Sequence, residues 1–339
     1  EEDKLEQWYE GIKLADQECL ENGITSFQDA GSSFEWIDRY KKLAEQGELD
    51  VRLWVMIRQS ADDMKDRLEG FPWIGLGDQM LTVRAIKSDV DGALGSFGAW
   101  LLAPYADKPD FVGQNTTQVS EVEAVADLAY QYGLQLCVHA IGDRANREVL
   151  NIYQKYYEKA VATQQDLRWR IEHAQHLAVE DIPRFAEMGV IAAMQGIHCT
   201  SDAPFVEKRL GYDRARQGAY AWRSLLDAGA VIANGTDAPV EDVNPIESFY
   251  ASVTRKRIDN GFEFFPEQAM TRYEALRSYT IDAAYAGFEE DVKGSIEQGK
   301  LADFTILSQN LLQCSDEDVL KAKVLYTIVG GKIKYTAKE

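Results

Sequence analysis

Cysteine and histidine are scarce, with 4 residues of each among 339. The cysteines, Cys19, Cys137, Cys199 and Cys314, are scattered and form no CxxC pair. Neither a disulfide framework nor a cysteine zinc knuckle is indicated. Basic residues are few relative to acidic ones, 36 against 56, which leaves a net charge of −20. Such a surface repels phosphate backbones and anionic lipid, so nucleic acid and membrane surfaces are excluded as expected partners. No apolar run approaches the ~18 residues of a membrane span. The chain does not open on Met and shows no charged-then-apolar leader. Internal repeats and low-complexity tracts are missing too. What is present is ordinary for a globular chain: 45% apolar and 27% charged residues, which argues against disorder, collagen and coiled coil. A prior of roughly 150 residues per domain suggests two domains, although barrels run to about 250 as one.

Strand-like apolar runs alternate with helical periods along most of the chain. The runs are Ile24–Asp29, Val51–Ile57, Leu81–Lys87, Leu134–Ala140, Arg168–His173, Val190–Met194 and Val231–Asn234. Helical patterns between them include Val119–Tyr132, Ala145–Ala160, Val179–Met188 and Ala219–Ala228. Several end at a glycine, such as Gly133 and Gly189, which supplies the left-handed cap before a new strand begins. Repeated βα units with nearly continuous apolar strands predict a parallel sheet buried on both faces. Seven units in succession favour a (β/α)8 barrel over a doubly wound sheet. An eighth strand is expected, and it would precede Glu1. The chain opens inside an amphipathic helical pattern, Leu5, Trp8, Ile12 and Ala15, with no cap before it, and so reads as lacking its own N-terminus. The expected fold is α/β: a TIM-type barrel without its first strand over residues 1–285, then the C-terminal part of a small β-sandwich over 286–339. Short strands and the Gly330-Gly331 hairpin signal mark that tail.

Four residues stand where barrel chemistry stands, at the C-terminal ends of strands. His139 closes Leu134–Ala140, His173 closes Arg168–His173, Asp237 follows Val231–Asn234, and Lys87 ends Leu81–Lys87. Two imidazoles and a carboxylate form a tridentate set for a divalent metal that keeps one position open for water. Singly, each has a plain structural alternative: a hydrogen-bonded loop histidine, a turn-forming aspartate, or a lysine pointing to water. Their shared placement on separate units is the signal.

Three segments, His139-Ala-Ile-Gly-Asp-Arg-Ala145, Arg170-Ile-Glu-His-Ala-Gln175 and Gly235-Thr-Asp-Ala-Pro-Val240, resemble the amidohydrolase superfamily. Asp91–Ser96, Met194–Asp202, Ala219–Gly229 and Gly294–Asp303 resemble its family 3 branch, which contains N-substituted formamide deformylase-like enzymes. The resemblance runs from Gly23 to Lys332. It implies that His139 and His173 bind metal and that Asp237 touches the metal and shuttles the proton of its water. It places Lys87 where many superfamily members carry a carbamylated lysine. The implied cofactor is one or two divalent ions, zinc first. Two departures stand out. The superfamily's His-x-His pair has no counterpart here, and Phe97 stands where relatives often carry arginine.

The implied reaction is hydrolysis of a C–N amide bond in a small N-acyl or N-formyl substrate by a metal-activated water, with Asp237 as general base. The alternatives are hydrolysis of another bond (a cyclic amide, an ester or a deaminated ring) and an inactive metal-binding scaffold. His198 is read either as a contact for substrate or oxyanion or as a loop histidine. Asp29 lines the pocket floor or forms a turn. Asp143 caps the helix after His139 and orients the His139 loop from behind. His176 is read as a helix-start residue. Homo-oligomerisation and compartment stay open, a cytoplasmic setting being favoured.

Overall fold

The structure is a computed structural model that describes residues 2–338. Eight strands form the main sheet: β1 (Ser26–Ser32), β2 (Arg52–Ile57), β3 (Trp73–Gly75), β4 (Leu81–Asp89), β5 (Gln135–Ala140), β6 (Arg170–His173), β7 (Ile191–Gln195) and β8 (Ile232–Gly235). Seven of them are parallel, in the order β1-β2-β4-β5-β6-β7-β8, while β3 adds one antiparallel pairing to β4. The result is a curled half-barrel of the TIM type, with helices on its convex face. Every run read as a strand from the sequence is one. The short β3, whose pairing rests on a single residue pair, was not legible.

Alternation along the strands builds two separate apolar layers. Val55, Ile57, Val83, Ile86, Leu136, Val138 and Ile171 face the helices and join the large core. Trp54, Met56, Ala85 and Cys137 face inward and form a small cluster of their own inside the curl. In β4 the alternation is broken once: Val55 pairs with Val83, but Met56 pairs with Ala85. The extra residue, Arg84, is a bulge that exchanges the two faces of the strand beyond it. Without it Lys87 would share Val83's outward face; with it Lys87 follows Ala85 inward, paired with Cys137.

Glycine ends the helices as the sequence pattern predicts. Gly133 (φ 66°) and Gly189 (φ 65°) stop the helices Val119–Tyr132 and Ile182–Met188 in the left-handed conformation. The strand-start end of the sheet is covered by residues 281–290. Trp54 Nε1 donates to the Gly287 carbonyl (3.0 Å), Gln135 Nε2 to that of Ala286 (2.9 Å) and Gln28 Nε2 to that of Ala283 (3.0 Å).

A second, antiparallel sheet holds β9 (Phe304–Leu307), β10 (Val324–Val329) and β11 (Lys332–Thr336), in the order β11-β10-β9. Gly330 and Gly331, at φ 58° and 76°, make the tight β10–β11 turn. The helix Glu2–Glu21 lies against this sheet: Cys19 and Leu20 pack with Val51 and Val329, and Thr327 Oγ1 donates to the Leu20 carbonyl at 2.6 Å. Among the described residues no helix is long and apolar enough to cross a membrane.

Candidate active site

His139 and His173 end adjacent parallel strands, where His139 pairs with Glu172 and Ala140 with His173. His139 faces inward on the same side as Cys137. His173 should face outward, since Glu172 faces in beside the inward Arg170. The backbone prevents that: His173 and Ala174 have φ of 77° and 43°, a conformation that L-residues adopt only under constraint. The turn brings the His173 ring edge-on to His139, with centroids 4.4 Å apart. The Nδ1 of His173 lies 2.7 Å from Gln195 Oε1, at the end of β7, so Nδ1 carries the proton and Nε2 keeps its lone pair. On His139, Nε2 is 3.5 Å from Asp91 Oδ1 and sealed from solvent without a hydrogen bond, while Nδ1 is 4.0 Å from Asp89 Oδ1. Burial holds both rings neutral. His139 is pushed down to about 2, by desolvation and then by the His173 and Lys87 charges. His173 is pushed down to about 3, by desolvation and then by His198 and Lys87.

Lys87 is buried beside these rings. Its Nζ donates to Asp89 Oδ1 at 2.5 Å and to the Ser88 carbonyl at 3.1 Å. Asp89 Oδ2 accepts from Arg58 Nη2 at 2.7 Å, so one carboxylate neutralises two cations in part. Asp91 holds the loop that carries His139. Its carboxylate accepts from the backbone N–H of Ile141 (2.9 Å), Gly142 (2.8 Å) and Trp100 (2.9 Å). Desolvation outweighs those three donors and lifts Asp91 to about 7. Only glycine fits at position 142, because a Cβ there would meet the Trp100 carbonyl at 2.0 Å.

His198 lies in the first turn of the helix Gly196–Leu210, not in an open loop. Its ring stacks on His173 at 6.0 Å, and its Nε2 is buried without a partner. Desolvation lowers its pKa, against the pull of Glu241. Asp237 comes after β8 with φ 58°. Burial first, then the Glu172 carboxylate, raise Asp237 to about 6 against the opposing Lys87 charge. Glu172 is clamped by Arg170, Nε to Oε1 at 2.8 Å and Nη2 to Oε2 at 3.0 Å. No hydrogen bond or ion pair among the described residues joins Asp237 to either imidazole.

Asp29 points away from this centre. Gln28 faces in, where its Oε1 accepts from Arg170 Nη1 at 2.6 Å, so Asp29 falls on the helix side. There its carboxylate accepts from Gly31 N–H (3.0 Å) and Ser32 Oγ (2.5 Å), which is the turn alternative of the sequence reading. Asp143 is the first residue of the helix Asp143–Thr163, whose cap is Gly142. It accepts from Leu102 N–H at 2.8 Å and Arg144 N–H at 3.0 Å; the bonds that orient the His139 loop come from Asp91. His176 starts no helix: it is buried, bridges Ala219 and packs edge-on against Tyr220 at 5.4 Å. Cys199 turns into the outer core, away from its neighbour His198.

Sequence reasoning did not single out Asp89, Asp91, Glu172 and Gln195. All four lie within or next to segments it quoted. Their roles depend on partners up to 51 residues away, as between Asp91 and Gly142.

Two neutral imidazoles with an unpartnered nitrogen between buried acids fit a divalent ion in part. Among the described residues no group of three or more His, Cys, Asp or Glu side chains is arranged to hold one. The structure brings together His139, His173 and Lys87; a third ionic donor beside the imidazoles would come from Lys87 only if its ammonium were converted to a carboxylate.

Residues 2–335 match the amidohydrolase family. A putative amidohydrolase, YtcJ, of Bacillus subtilis is 32% identical over 338 residues, covering 96% of this chain and 61% of the relative. The N-substituted formamide deformylase of Arthrobacter pascens is 31% identical over 225 residues, covering 66% of this chain and 41% of that protein. The crystal structure of an uncharacterized metal-dependent hydrolase from Pyrococcus horikoshii superposes with a TM-score of 0.80 at 25% identity, covering 92% of this chain and 62% of that one. This chain therefore spans about two fifths to three fifths of the length of these proteins. With half-barrel, strand-end imidazoles and a match along nearly its whole length, the chain belongs to the amidohydrolase family.

Proposed function

We propose that this chain carries the catalytic centre of a metal-dependent hydrolase that cleaves the C–N bond of a small N-acyl or N-formyl amide. The observation that carries the reading is the pair of buried, neutral imidazoles, His139 and His173, edge to face at 4.4 Å where two strands end. They would hold the ion together with Lys87, zinc being the first candidate, and carbamylation of Lys87 would add the anionic donor that the described side chains do not supply. Such an ion acidifies water and polarises a carbonyl. Asp237, raised to about 6 by burial and by Glu172, is matched to proton transfer near neutral pH. It takes a proton from the attacking water and returns it to the leaving nitrogen, so the products are a carboxylic acid and an amine. His198, stacked behind His173, contacts the substrate carbonyl side. Asp91 positions His139 by fixing the loop that comes after it.

The substrate type is argued from the match to the formamide deformylase. The test is to load the chain with zinc, measure metal per chain, and assay a panel of N-formyl and N-acyl amines for acid and amine release. Release that disappears on chelation and returns with metal supports the reading. A chain that holds metal yet cleaves no member of the panel, while hydrolysing a cyclic amide or an ester, would move the assignment to that bond.

A further inference from the structure

A cation at the mouth has no part in the reaction proposed above. Arg58 is the first residue past β2, two positions beyond the inward-facing Met56. Its Nη2 donates to Asp89 Oδ2 at 2.7 Å. The other oxygen of that carboxylate, Oδ1, takes the Lys87 ammonium at 2.5 Å and lies 4.0 Å from His139 Nδ1. After burial and His173, the charges of Lys87 and Arg58 both bear on the His139 ring. The guanidinium therefore stands on the inner wall, with the Asp89 carboxylate between it and the imidazole.

The fold holds Arg58 in this pose along its length. Its backbone N–H donates to the Ser32 carbonyl at 2.9 Å. Its stem crosses Gly31 so closely that a Cβ there would meet Arg58 Cβ at 2.8 Å and Cδ at 2.9 Å; Gly31 has φ of 136°. Asp89 tethers the head. Yet the side chain is 56% exposed, and among the described residues Nε and Nη1 make no hydrogen bond. An arginine that only balances the charge of Asp89 needs no such seat. The open edge does not depend on the state of Lys87, because the two cations use different oxygens of Asp89. A seated guanidinium with a free edge beside a reaction centre fits a planar anion. Asp237 and Glu241, on the β8 side, oppose a doubly charged phosphate more than a singly charged carboxylate.

We propose that the free edge of Arg58 receives a carboxylate of the substrate. This rests on the hydrolase reading above and narrows it: the preferred amide is an N-formyl or N-acyl amino acid. The span fits, since the Asp89 carboxylate alone reaches from Arg58 to within 4.0 Å of His139, so a carboxylate on Arg58 lies a short chain from the scissile bond. Arg58 takes no part in bond cleavage. It selects by charge and by the planar shape of its partner.

The test compares two isosteric amides on the whole 339-residue chain loaded with zinc, by formate release. N-formylglycine ends in a carboxylate, whereas N-formylglycinamide ends in a neutral amide. Wild type should favour the acid by about fivefold or more in kcat/KM, chiefly through KM, and less as salt is raised. In Arg58→Gln the ratio should fall to near one. Any disturbance of Asp89 or Lys87 by the substitution acts on both amides and cancels in the ratio. Calorimetry with N-formylglycine on the metal-free chain, where no ion can take the carboxylate, needs no turnover. There wild type should bind about fivefold more tightly than Arg58→Gln. If neither amide is cleaved, the hydrolase reading fails and calorimetry alone judges the subsite. An unchanged ratio in Arg58→Gln, or equal binding of N-formylglycine, overturns the proposal. Should Arg58→Gln not fold, Arg58→Lys carries the same comparison with a smaller drop, about twofold, because it keeps the charge and loses the fork.

Discussion

At the strand-start end of the half-barrel, charge and hydrogen bonds are closed off. Arg168 pairs with Asp166 at 2.8 Å and Glu290 at 2.7 Å and lies over the rings of Tyr285 and Phe288. Trp54, Gln135 and Gln28 each donate to a carbonyl of the covering segment. The strand-finishing end differs in kind. His139 and His198 keep buried nitrogens without partners there, and the carboxylates of Asp202, Asp237 and Glu241 pair with no cation among the described residues, whereas positive φ occurs at both ends, at His173, Ala174 and Asp237 here and at Arg168 and Phe288 on the floor. The same sheet supplies both ends, so the contrast does not come from the strands. It comes from the connecting segments at each end. The floor is covered by one packed segment, while the mouth is assembled from separate loops that hold unsatisfied polar groups in place for a ligand. Two exceptions at the floor, Arg84 Nε and Glu289 Oε2, belong to side chains otherwise engaged, over Phe288 and beside Lys293.

Substitutions at the two ends should therefore separate activity from stability. The largest effect is expected for Asp237→Asn, which should keep the fold and the bound metal and lose about 10²–10⁴-fold in kcat, the range for a missing general base. Parent-like turnover by the purified variant would break the assignment. At the floor, Trp54→Ala should lower unfolding stability by about 3–5 kcal/mol, through the cavity it leaves and the lost bond to Gly287. Denaturant titration measures it, and a loss of activity with unchanged stability would erase the distinction between the ends. Asp91→Asn lies between the two. It should weaken metal affinity about 10–100-fold by loosening the His139 loop, as seen by titrating metal against a competing chelator, with a smaller loss of stability. Unaltered affinity would show that the loop does not need Asp91.

The smallest effect is a pH slope. Burial and then the Arg214 charge lower His176 from 6.5 to about 3. Between those values the unfolded chain binds a proton that the folded chain refuses. The stability associated with this site is whole above pH 6.5 and is lost as the pH falls. The slope is at most about 1.4 kcal/mol per pH unit. Asp202 and Asp237, raised to about 6, contribute with the opposite sign, so only a difference isolates the histidine. His176→Gln should gain on wild type by that slope as the pH is lowered from about 6.5 to about 5. Parallel pH profiles would mean that His176 is not held neutral.

Sequence by itself determined the seven parallel strands, the glycine-ended helices, the Gly330-Gly331 hairpin and the placement of Lys87, His139, His173 and Asp237 at strand ends. These arise from local periodicity and turn chemistry, which need no knowledge of distant residues. Tertiary structure decided which way those residues face. The Arg84 bulge turns Lys87 inward, and it exists only as a register between β2 and β4. The left-handed backbone at His173 and Ala174 brings two imidazoles together that alternation would have parted. Pairing with β2 puts Gln28, which the sequence did not single out, on the inner face against Arg170 and leaves Asp29 to its own turn on the outer face. Asp91 became visible only through backbone donors 9 to 51 residues away. The physical reason is common to all of them: a strand's face and a carboxylate's donors are set by pairing across the sheet, and pairing is not a property of any one segment.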